Sequence, residues 1–225
     1  MVKHYIRFGV ASLFLFVFLL SYKHIELAFA AALNTLSDTQ SSVKISTLSD
    51  HTIQFVTPTG VAAGQDITIT FPGSFGMGSF AVTNVDFATS TSASCSSFSN
   101  EPLASSASGL TWGVAQAGQI ITITSGTASV PANRCVQIKI GSNASFGGTG
   151  VAQITNPASP NIYAITLAGT FGDSGSITTD IVTDDTVSLS GTVSQSLTFS
   201  ISTSTLYFGI LSSGLAKFAS STDTS

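Results

Sequence analysis

Alternation with a period of two constrains this chain more than any other feature. It is clearest in residues 51–75, HTIQFVTPTGVAAGQDITITFPGSF. Ile53, Phe55 and Thr57 alternate with Thr52, Gln54 and Val56. After Pro58-Thr59-Gly60 and the Gly64-Gln65 turn, Ile67, Ile69 and Phe71 alternate with Asp66, Thr68 and Thr70. Successive strand side chains point to opposite faces, so each run offers one apolar row to a core and one polar row to water. The two runs read as a hairpin-like pair. Pro72 ends the second, because it has no N–H to give a ladder.

The same pattern recurs downstream. Val43 and Ile45 suggest a short first strand after a polar lead-in over residues 31–42. Phe80, Val82, Val85 and Phe87 read as one strand with a bulge near Thr83-Asn84. Leu110, Trp112 and Val114 form another, then Ile121 and Ile123, then Val136, Ile138 and Ile140. Residues 151–155, 162–167 and 177–182 close the set, giving nine or ten short strands. No helical period of useful length follows residue 30. Two stretches read as loops presented at the surface. One is the Ser/Thr/Ala-rich segment 88–109, and the other is SNASFGGTG at 142–150.

Composition supports a packed body. Hydrophobic residues make up 43% of the 225 and charged residues only 8%, against about 25% in an ordinary soluble domain. Net charge is −4. Beyond residue 30 the cations are Lys44, Arg134, Lys139 and Lys217 alone, too few for a nucleic-acid surface.

Residues 1–30 are laid out as a secretory signal. Lys3 and Arg7 precede the apolar run VASLFLFVFLL, and Ala28-Phe29-Ala30 supplies small residues at A-x-A spacing. Cleavage is expected after Ala30, with Ala30-Ala31-Ala32 as a second site. The alternative is an uncleaved anchor, the one route by which the chain would touch a membrane. Its apolar run is short for a span of about 20 residues. Cys95 and Cys135, the only cysteines, would pair in an oxidising compartment, adding about 4 kcal/mol on the chain-entropy account. Two unpaired buried thiols are the alternative.

The segments HTIQFVTPTGVAAGQDITITFP and VSLSGTVSQSLTFSISTSTLYFGILSSG together resemble secreted, multi-module bacterial surface proteins built from Ig-like or fibronectin-like β-sandwiches. The resemblance implies an all-β fold: an Ig-like antiparallel β-sandwich, preceded by an N-terminal signal helix. It implies a structural or adhesive role outside the cell and brings no catalytic residues. The expected organisation is a signal peptide at 1–30, a sandwich at 31–183, and at 184–225 either the start of a second, truncated β-module or the C-terminal strands of the first. Partners would be neighbouring surface modules, or glycans and proteins of a cell surface.

Chemistry is sparse. His51 is the only histidine after residue 30 and stands beside Asp50. Without a G-x-S-x-G turn it reads as a strand-end residue with a local hydrogen bond, not part of a hydrolase triad. One His and two distant Cys do not make a zinc site. Asp173, Asp180, Asp184 and Asp185 gather near the expected boundary and could hold calcium; the plainer reading is acidic turn residues facing water. The alternative function is a secreted carbohydrate-binding module, with Trp112, Tyr163 and Tyr207 as the rings for stacking on sugars. A membrane β-barrel would need strands near 10 residues and aromatic girdles.

Overall fold

The computed structural model describes residues 30–184. The expected signal segment before Ala30, and Asp185, Tyr207 and the strands expected beyond residue 185, lie outside the described residues. Thirteen strands are present within them. These are β1 (Asn34–Gln40), β2 (Leu48–Ser49), β3 (His51–Thr57), β4 (Asp66–Thr70), β5 (Val85–Ser90), β6 (Phe98–Asn100) and β7 (Leu103–Ala104). They continue with β8 (Trp112–Ala117), β9 (Ile120–Thr124), β10 (Arg134–Ile140), β11 (Ile154–Thr155), β12 (Asn161–Ala168) and β13 (Gly175–Ile181).

They form two facing sheets and a small outlier. One sheet runs β1-β3-β10-β5-β6, the other β13-β12-β4-β9-β8-β7, and β11 pairs with β2. The strand pairs are antiparallel, save β7 with β8, which is parallel. The expected all-β sandwich is therefore what the sequence builds. Its inward rows are those of the alternation: Ile53, Phe55, Ile67, Ile69, Phe87, Ile121, Ile123, Val136, Ile138, Ile140, Ile165 and Leu167 are all fully buried. Fully burying one such side chain is worth about 1.5–3 kcal/mol, so this row alone accounts for the choice of face.

Three expectations change. β3 and β4 are not a hairpin: they sit in opposite sheets, β3 between β1 and β10, β4 between β12 and β9. The link 58–65 crosses the core instead. Val61, 1% exposed, exchanges two backbone hydrogen bonds of 2.8 Å with Val130 in the return crossing between β9 and β10. Gly60 permits that approach. Its φ is +84°, and a Cβ there would lie 2.5 Å from the Val130 carbonyl oxygen. Next, residues Val82–Asn84 are a 3₁₀ turn and not a bulged strand, so β5 starts only at Val85. Last, the first strand is the polar Asn34–Gln40, not Val43 and Ile45.

β1 and β13 are edge strands of different sheets, and the chain around β1 grips β13 at both ends. Leu33 N–H donates to Ser174 O at 2.9 Å, and Ser174 N–H to Ala31 O at 3.0 Å. Beyond the other end, Val182 N–H donates to Val43 O, and Ile45 N–H to Val182 O, each at 2.9 Å. On the opposite side, the crossing from β6 to β7 is fixed by Glu101 N–H to Phe87 O and Trp112 N–H to Pro102 O.

Candidate functional site

The polar side chains of this protein are spent on fastening loops and edges, and the candidate site is that set of fastenings.

The first is a disulfide. Cys95 and Cys135 are joined, with Cα atoms 5.3 Å apart. Val136, Ile138 and Ile140 of β10 face the core, so Cys135 points from the outer face of its sheet. The bridge therefore pins the serine loop 91–97 flat on that face and does not join the two sheets. The two strands beneath also hold the loop: Ser90 Oγ of β5 donates to Ser96 O at 2.8 Å, and Cys135 N–H of β10 donates to Ser92 O at 3.0 Å. The Ser/Thr segment is thus partly two edge strands and partly a stapled bend.

The glycine loop 142–150 is held from three directions. Asp50 accepts from Ser142 N at 2.6 Å and from its hydroxyl at 2.7 Å. Asp86, buried between strands, accepts from Ser145 N at 2.7 Å and Phe146 N at 3.0 Å. Asn143 Nδ2 donates to His51 O and Thr52 Oγ1. That nitrogen is the atom a glycan would take at the Asn143-Ala144-Ser145 sequon, so glycosylation there would break the anchor. Gly141, at φ +119°, lets Asp50 come close: a Cβ would sit 2.1 Å from its Oδ1. Only the tip is free, where Phe146 is 54% exposed.

Of the four acidic residues, Asp185 lies outside the described residues, and Asp173, Asp180 and Asp184 stand apart from one another. Asp173 is 1% exposed and accepts from Thr57 Oγ1 at 2.6 Å, Thr59 Oγ1 at 2.8 Å and Thr59 N at 3.0 Å. It ties the start of the core crossing to the turn before β13. Asp180 lies near the far end of β13, five residues past its start at Gly175, about 17 Å along the strand at about 3.3 Å per residue. Asp184 stands beside Lys44 at 3.9 Å, an exposed pair that adds little. Among the described residues no three His, Cys, Asp or Glu side chains converge for a metal. Asp173 leaves the proposed calcium set because its oxygens are already engaged.

His51 is fully buried. Its partner is not local: Nδ1 lies 2.7 Å from Asp38 Oδ2, across the β1–β3 pairing. Phe71 and Phe75 meet its ring edge-on, with centroids 5.2 and 6.4 Å away. Asp38 Oδ2 also accepts from Gln40 Nε2 at 3.1 Å, and Gln40 Nε2 stands 2.6 Å from Thr179 Oγ1 of β13. This cluster joins the first strand to the last between the two backbone grips. Sequence reasoning missed it, because β1 carries no apolar row to mark it as a strand.

Two of the three rings proposed for sugar stacking, Trp112 and Tyr163, make contacts within the fold. Trp112 is 1% exposed and packs against Phe87 across the sheets, centroids 4.5 Å apart. Tyr163 lies half-buried with its ring edge-on to Phe75, and its hydroxyl donates to Ser159 O at 2.8 Å.

No family model matches the chain, and no curated protein matches it. Solved structures share parts of its path. One is the group B streptococcus pilus 2b backbone protein, 11% identical, with 64% of this chain and 56% of that one covered and a TM-score of 0.40. Another holds manganese lipoxygenase of Gaeumannomyces graminis and part of zonadhesin of Komagataella pastoris, 11% identical over 68% and 47% of the chains, TM-score 0.36. A third is AvmM, which catalyzes macrocyclization in alchivemycin A biosynthesis, 7% identical over 70% and 93%, TM-score 0.27. The chain spans roughly half the length of the first two, and at these scores the likeness carries no argument about role.

Proposed function

We propose that this chain contributes a non-enzymatic structural module to the outside of a cell, with its stapled loops presented to neighbouring modules or to surface glycans and proteins. The observation that carries the reading is the clamp between β1 and β13. The chain enters beside Ser174, at the head of β13, and leaves past Val182, beyond its tail, after pairing with β1 and its flanks. Tension between entry and exit therefore acts along the strands. Backbone and side-chain bonds at both ends and the middle of the clamp must then fail together, which is how a sheet resists shear. A body with that geometry is suited to transmit load. The disulfide fits an exported protein, because such bridges persist where the surroundings are oxidising.

Two measurements test the proposal. Antibodies to the folded chain should label intact cells without permeabilisation; labelling only after permeabilisation would end the extracellular reading. In single-molecule pulling, the chain held at residues 31 and 184 should resist higher force than when held at residues 161 and 181, the open ends of the antiparallel β12–β13 pair, which parts one rung at a time. Equal forces would remove the load-bearing argument.

A further inference from the structure

We propose that Gln40 and Thr179 become joined by an ester bond that the folded protein makes for itself. Thr179 Oγ1 is 2.6 Å from Gln40 Nε2, so the hydroxyl lies against the carboxamide, whose carbon is one bond further on. Turning the amide end for end leaves that carbon where it is. Thr179 is 8% exposed, His51 is fully buried and the Asp38 side chain is 1% exposed. Phe71 and Phe75 wall the cluster. Holding an attacking group beside its target makes the step intramolecular, with effective concentrations up to about 10⁵–10⁸ M in well-oriented cases.

The cluster is also under-satisfied for a purely structural network. Gln40 Oε1, Asp38 Oδ1 and His51 Nε2 are all buried with no hydrogen-bond partner. Unpaired buried polar groups are costly to keep, and a role in chemistry is one physical reason for keeping several together.

The step balances without a further reactant. Thr179 Oγ1 adds to the Gln40 side-chain carbonyl carbon, and the Oγ1–C bond forms. The hydroxyl proton passes to Nε2, the C–Nε2 bond breaks, and ammonia leaves. Asp38 Oδ2, 3.1 Å from Nε2, favours the positive charge that builds on the departing nitrogen. His51 Nδ1, at 2.7 Å, is a positioning residue that keeps this carboxylate in place. The product ties β1 to β13 covalently across the two sheets.

Intact-mass measurement of the full chain reads the bond directly, apart from any role on a cell. The folded protein should weigh one ammonia less than its sequence with the disulfide counted. Trypsin should then release the peptide ending at Lys44 joined to the peptide spanning 140–217. Alkaline hydroxylamine should separate the two. Thr179→Val should restore the full mass and Thr179→Ser should keep the deficit. At equal folded content by circular dichroism, Asp38→Asn should lower the linked fraction at least tenfold; an unchanged fraction would overturn the part given to Asp38. Full mass in the native chain, or a deficit that survives in Thr179→Val, would overturn the bond.

Discussion

Removing the Asp173 carboxylate separates internal fastening from metal binding in one experiment. In Asp173→Ala the Thr57 hydroxyl, fully buried and already accepting from Gly60 N at 2.9 Å, loses the group it donates to. A stranded buried donor costs about 1–3 kcal/mol. The Thr59 amide and hydroxyl also lose an ionised acceptor, but Thr59 is exposed and water replaces it. Together these give a loss of about 3 kcal/mol. With a urea slope of about 2 kcal/mol/M, the midpoint should fall by about 1.5 M. Asp173→Asn keeps one acceptor oxygen and should lose about half as much. Trp112, the single tryptophan and buried in the core, reports unfolding by its emission. The titrations are run in EDTA and again in calcium. Equal losses in both are expected. A variant within about 0.5 kcal/mol of the parent in EDTA would refute the fastening argument, and a loss confined to calcium would return Asp173 to a metal site.

Replacing both Cys95 and Cys135 by Ala should lower stability by up to about 4 kcal/mol, read as a urea midpoint, and should speed amide exchange in residues 91–97 before the sheets. Asp86→Ala leaves the Ser145 and Phe146 amides without their acceptor. It should cost about 2 kcal/mol and raise exchange across 142–150, while β3 and β10 stay protected. Phe87→Ala opens a cavity against Trp112; a loss of about 3–5 kcal/mol and a red shift of the tryptophan emission are expected.

What the sequence makes legible is the inward row of each strand, because burial enforces a period of two wherever a sheet has one wet face. It does not say which sheet a strand joins. Residues 53–57 and 67–71 alternate equally well as a hairpin or as an arch over the core, and only the partners on each flank, β10 and β9, decide. β1 is hidden for the opposite reason. Asn-Thr-Leu-Ser-Asp-Thr-Gln has no apolar row, and it is held as a strand by pairing with β3 and by Asp38 and Gln40 reaching distant groups. Asp173 and Asp180 look close in the sequence, but short sequence spacing becomes long distance once an extended strand, β13, lies between them. The cysteine pairing was legible because two cysteines leave one choice wherever the surroundings are oxidising. Asn156, whose amide clamps Ser42 O and Lys44 O, carries no local signal, since its partners lie 112 and 114 residues away.

A protein with so few charges has a further reason to place its acids inward. Strands satisfy their own backbone groups, but glycine-rich crossings leave N–H groups that no neighbouring strand reaches. One carboxylate can accept from two or three of them at once. Asp86 does this for the Ser145 and Phe146 amides, while Asp50, Asp66 and Asp173 each accept from one backbone amide at a different crossing or loop, Asp50 and Asp173 from hydroxyls as well. Where the carboxylate is buried, as at Asp86 and Asp173, salt screens its bonds far less than it screens surface ion pairs. Serine and threonine, which do not titrate, can then cover the outside. The result is a body whose order depends on contacts made within it and whose surface stays chemically plain.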